Sequence, residues 1–139
     1  VCPSGAITVP WASVLAWDVQ RGLMDGFKGV ASVFKEKVGF INFGFDITPH
    51  CDCPGKSKLP VVPDIGILAS CDVIACDKAS YDLVTEAPLY PGSELERKGI
   101  KAGQNKVESV YPDVDTSRYW KLCEKTGLGN LQYELEIIS

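Results

Sequence analysis

Val62-Pro63-Asp64-Ile65-Gly66-Ile67-Leu68-Ala69-Ser70-Cys71-Asp72-Val73 is the stretch that decides the fold. Its centre, 64–70, is short, apolar and bounded by turn formers, which reads as a strand. Apolar side chains fall on both of its faces, as in a sheet covered by helices. Asp72 then stands where a helix N-cap belongs. Val73, Cys76, Ala79, Ser80 and Leu83 form the packed side of a helix that runs to about Glu86, and Pro88, Pro91 and Gly92 end it. A strand feeding directly into a helix points to an α/β domain.

Toward the N-terminus, 41–47 alternates: Ile41, Phe43, Phe45 and Ile47 on one face, Asn42, Gly44 and Asp46 on the other. This predicts a second strand with its apolar face buried; Asn42 and Asp46 look toward solvent or toward a site, and the solvated face is the favoured reading. Further upstream, Val19, Leu23, Phe27, Val30 and Phe34 recur at helical steps and predict a helix over 13–34. Gly22, Gly26 and Gly29 share a face of that helix. Each costs about 1 kcal/mol relative to alanine, which suggests close backbone packing there; a broken or bent helix is the other reading.

Downstream, 88–114 reads as connection with one helical turn at 94–98. Asp115 caps a last helix to Thr126, and Gly127 is a left-handed stop. Leu131, Tyr133, Leu135 and Ile137 alternate with Gln132, Glu134 and Glu136, which predicts a final strand. The order implies a single α/β domain over 1–139: a mixed β-sheet flanked by helices, without repeats.

The formal charge of the 139 residues is −4. No basic block exists to neutralise phosphates, which argues against a nucleic-acid partner. The longest apolar stretch, 7–17, contains Pro10 and Ser13 and is too short to span a bilayer. Six cysteines are unevenly spread, with Cys51 and Cys53 one residue apart and Cys76 inside a helical pattern. This is not the spacing of a small disulfide scaffold; reduced thiols and a cytoplasmic setting are the better reading.

Between the two central strands, 48–63 holds four prolines and no periodicity. Long ordered loops in compact domains are often functional. This one opens on Pro49-His50-Cys51-Asp52-Cys53, which gathers the only histidine, two thiols and a carboxylate. In extended backbone, Cys51 and Cys53 point the same way, and thiolates are soft donors suited to iron–sulfur clusters or zinc. His50 offers nitrogen and Asp52 oxygen. A closed site needs further ligands, from Asp64, Cys71, Asp72, the distant Cys2 or another chain. Two ordinary free thiols beside a surface histidine is the competing reading.

Asp64 is either a ligand or a group that orients the loop by accepting backbone hydrogen bonds. Cys71 sits before a helix N-terminus, where thiols gain reactivity, although a small buried junction residue is the favoured reading. Cys76 and Cys123 read as core. No phosphate-binding glycine loop and no Gly-x-Ser-x-Gly elbow occurs.

Ile47 to Cys53, Val62 to Ser70, Asp72-Val73-Ile74-Ala75-Cys76-Asp77-Lys78-Ala79 and the closing Gly127-Leu128-Gly129-Asn130 with Tyr133-Glu134-Leu135 together carry a resemblance. The chain resembles the C-terminal part of the domain-of-unknown-function family numbered 362, described as iron–sulfur-centre proteins. Cys2-Pro3-Ser4-Gly5-Ala6-Ile7 is similar to the end of a bacterial ferredoxin cluster motif, so 1–9 reads as its remnant in a piece of a longer parent. Where the family usually has proline after the capping aspartate, this chain has Val73. The resemblance implies an iron–sulfur redox protein of the electron-transfer type, with a ferredoxin-like segment or redox partner. It supplies no reaction. The rival readings are a zinc-type site beside a small-molecule pocket and a metal-free binding or scaffold domain.

Overall fold

The computed structural model describes Ser4 and residues 16–34, 37–50 and 58–138. Helix α1 (Ala16–Phe34) precedes strand β1 (Phe40–Gly44), and strand β2 (Gly66–Ser70) leads into helix α2 (Val73–Glu86). Three shorter helices follow: α3 (Glu94–Arg97), α4 (Lys106–Val110) and α5 (Thr116–Thr126). The α/β class is as expected. Its sheet, among the described residues, is the antiparallel pair β1–β2, registered from Phe40 opposite Ser70 to Gly44 opposite Gly66. The segment 1–9, where a ferredoxin-motif remnant is expected, lies outside the described residues except for Ser4.

The strand-to-helix unit forms where its sequence places it. Asp72 caps α2, its Oδ1 accepting the Ala75 N–H at 3.0 Å. Leu68 of β2 packs with Cys76 and Ala79 of α2, and Leu83 and Phe40 close around them. A second cluster joins α1 to α2 and α5 through Met24, Ile74 and Cys123. A third, built on Val61, Val62 and Leu95, lies beneath the chain that returns from the 48–60 loop.

The faces of the sheet correct the expectation. Ile41, Phe43 and Ile67 are 59%, 67% and 61% exposed. It is Asn42 that turns toward α2, donating from Nδ2 to Asp77 Oδ1 at 2.9 Å and to Ser80 Oγ at 3.0 Å. Asn42 is registered opposite Leu68, so the two share the helix-facing side of the sheet. Burying the amide is tolerated because α2 supplies its partners. Asp77 is thus part of this contact. The two-sided cover expected for β2 is one-sided among the described residues.

Helix α1 also departs from its pattern. Met24 is its buried residue, while Leu23 is 69% exposed and Val19, Val30 and Phe34 are exposed too. Among the described residues a Cβ at Gly22, Gly26 or Gly29 would meet nothing within 4 Å, so these glycines mark no close backbone contact there. Helix α4 has no counterpart in the sequence reading. Its buried residue is Lys106, whose Nζ donates to the Thr85 carbonyl and whose pKa burial pushes down. The segment 131–138 is not the final strand expected. It belongs to no ladder among the described residues and is held near its start by Asn130 on Asp72 and by Tyr133 Oη donating to Asp82 at 2.9 Å.

Candidate functional site

The neck of the 48–60 loop is closed by three backbone donors. Ile65 N–H donates to the Gly44 carbonyl at 2.7 Å, and Val61 N–H donates to the Ile47 carbonyl at 2.8 Å. Between them, Asp46 N–H donates to Asp64 Oδ1 at 3.0 Å. Asp46 turns the chain out of β1 with φ of 46°, a left-handed conformation that aspartate tolerates better than most residues. These bonds hold the two ends of the loop side by side.

On the outgoing arm Pro49 is buried and His50 is exposed. Thr48 Oγ1 donates to the His50 carbonyl at 2.8 Å. The imidazole stands edge-on to Tyr111, with ring centroids 5.7 Å apart and planes at 70°. His50 Nδ1 and Tyr111 Oη lie 3.1 Å apart, and the tautomer decides which donates. Tyr111 was not legible as a site residue. It sits in a connection without periodicity, 61 positions from the histidine it meets.

On the returning arm Lys58 Nζ donates to Glu94 Oε2 at 2.6 Å, and Lys98 binds the other oxygen of Glu94 at 2.9 Å. Hydrogen bonds from these two ammonium groups hold the Glu94 carboxyl at about 2, against an ordinary 4.5. A depressed carboxylate contributes stability in full above its unfolded value and loses it as pH falls through the folded one. The tether on Lys58 is therefore expected to weaken between about pH 4.5 and about 2. A carbon-detected titration of Glu94 should show a midpoint near the lower value that rises in Lys58→Ala; an ordinary midpoint in the unmutated chain would contradict the arrangement.

Of the sequence-derived ligand candidates, Cys51, Asp52 and Cys53 lie outside the described residues. His50 and Asp64 are both exposed near the loop neck. Asp64 already accepts a backbone N–H, the orienting kind of contact expected as one of its two roles. Asp72 is occupied as a cap and as the acceptor for Asn130. Cys71 is exposed rather than a buried junction residue, whereas Cys76 and Cys123 are buried and their thiols are pushed up, first of all by burial. All three are free. Among the described residues no group of three or more His, Cys, Asp or Glu side chains is placed to hold a metal ion, and no helix is long and apolar enough to cross a membrane.

No protein-family model, curated protein or solved structure matches the chain.

Proposed function

We propose that this domain is a metal-binding redox module of the electron-transfer type, with Cys51 and Cys53 as thiolate ligands of an iron–sulfur cluster and His50, Asp52 and Asp64 in supporting roles. The observation that carries the reading is the seating of His50. A ligating imidazole commonly has its second ring nitrogen held by a neighbour, which fixes the tautomer and the ring plane. Tyr111 Oη at 3.1 Å from Nδ1 provides such a neighbour. The donor set at 50–53, two thiols, an imidazole and a carboxylate, fits a soft metal. Asp64 contributes by pinning the Asp46 turn from which the ligand segment departs.

A bound cluster would supply one-electron chemistry. The chain's own part is to hold the two arms of the loop together, orient His50 and present the thiols from the closed neck. Metal analysis and a visible spectrum of anaerobically purified and reconstituted protein test the reading. Iron with sulfide-type absorption is expected, and Cys51→Ser with Cys53→Ser should abolish both. Unchanged iron in the double variant, or no iron in the parent, would sink it. Colourless protein holding zinc would replace the cluster with a zinc site on the same thiols.

A further inference from the structure

β1 pairs with one edge of β2, and among the described residues nothing pairs with the other edge. A cavity of about 900 Å³ runs along that second edge. All of β2 lines it and no residue of β1 does, so it flanks the strand instead of covering the sheet face. Its floor is the side of α2 that carries Ala75, Cys76, Ala79 and Leu83, where small residues leave depth. Its far wall is the segment from Tyr133 to Ile138.

That far wall has a strand's alternating pattern yet forms no ladder among the described residues. It is fastened to α2 at Asn130 and Tyr133. Among the described residues, an edge of β2 without a partner and a segment outside any ladder thus face each other across one slot. An exposed edge is a template for a further strand, and natural domains usually cover it. Strands in a sheet lie about 4.8 Å apart, so one inserted strand reaches hydrogen-bonding distance of an edge while its alternate side chains point to the helix floor.

We infer that this slot binds an extended peptide segment of another protein, which adds a strand beside β2 with alternate apolar side chains over Ala75 and Ala79 and basic residues at its ends. The charge preference follows from the lining. Among the described residues, Asp64, Glu134 and Glu136 are its only charged ones, so every charge they bring to the slot is negative. The volume lies within the roughly 300–1,000 Å³ of ordinary ligand pockets. Main-chain pairing supplies affinity in this mode, and the pockets for alternate side chains supply selectivity. This inference does not depend on the metal reading: the slot uses none of Cys51, Asp52 or Cys53 and shares only Asp64 with it, whose contact with the Asp46 N–H needs no metal.

The probe is an eight-residue, acetylated and amidated peptide of alternating valine and threonine with lysine at both ends, titrated into the full chain. Saturable binding is expected, with slowed amide exchange at 66–70 and 133–138. N-methylation of alternate peptide amides, which removes main-chain donors and keeps the side chains, should weaken binding at least tenfold. Glutamate in place of both lysines should weaken it at least tenfold at low salt. In the Glu134→Lys, Glu136→Lys chain, whose changes lie on exposed positions, the charge preference should reverse while unfolding stays the same. Equal binding of the methylated peptide, protection elsewhere, or no saturable binding would overturn the inference. So would protection, in the free chain, of the β2 amides that point away from β1, or a dimer in sedimentation that blocks the peptide, since the slot would then be filled by this chain itself.

Discussion

Replacing Asp72 with alanine is expected to lower the unfolding free energy by about 2–3 kcal/mol, from loss of a helix cap and of hydrogen bonds to a charged group. The carboxylate works in two directions. Oδ1 accepts the Ala75 N–H and caps α2, while Oδ2 accepts the Asn130 N–H at 2.8 Å and Asn130 Nδ2 at 3.1 Å. Asp72 N–H is itself held by Ser70 Oγ at 2.9 Å. One side chain therefore ties the start of α2 to the turn that follows α5. Gly129 makes the approach feasible, since a Cβ there would fall 2.0 Å from Asp72 Oδ1. The carboxylate is held from several sides, so it cannot swing away without losing its partners, and Gly129→Ala should cost about 1–3 kcal/mol as an overpacked site.

The two changes are expected to be non-additive. In Asp72→Ala the carboxylate that an added methyl at position 129 would strike is gone, so the double variant should lose less than the sum. Urea unfolding of the two single variants and the double variant measures this. Additive losses would mean that the Asp72–Gly129 approach is not present in solution. Asp72→Asn should keep most of the cap, because asparagine is an equally good N-cap.

Leu95→Ala is expected to cost about 2–5 kcal/mol, the range for truncating a fully buried leucine. Leu95 is 0% exposed although it sits in a helix of only four residues. It packs with Val61 and Val62, around which Ile47, Ile65, Val84, Leu89 and Ile100 close. The side chain therefore glues the returning arm of the 48–60 loop to the body of the domain. Against a typical total of about 5–15 kcal/mol, such a loss is a large share of stability. Urea midpoints measure it. Amide exchange at Val61, whose N–H closes the loop neck onto Ile47, should quicken at least as much as global unfolding does. A loss below about 1 kcal/mol would mean that the arm is not packed on α3 in solution.

Local chemistry in the chain already determined the strand at the centre of the fold, the helix that Asp72 caps, the helix that Asp115 opens and Gly127 ends, and the cores at Cys76 and Cys123. Each rests on neighbours in sequence: a capping side chain bonding three residues on, a glycine with positive φ, or apolar residues at helical steps. The donors at 50–53 are adjacent in the chain, so they are ligand candidates from the sequence alone, with 51–53 outside the described residues.

Only the tertiary structure decided which face of β1 is covered. Alternation divides Ile41 and Phe43 from Asn42 but does not say that α2 offers Asp77 and Ser80 to the amide, and those partners reverse the expected orientation. Helix α4 stayed hidden because its buried residue is Lys106, and no apolar periodicity marks a lysine whose stem packs inside. The last segment carries a strand's alternation, yet alternation cannot supply the neighbouring chain that makes a strand. Tyr111 beside His50, and Asp72 beside Asn130, join residues some sixty positions apart. Contacts at that separation depend on how the helices pack around the sheet, which no local pattern encodes.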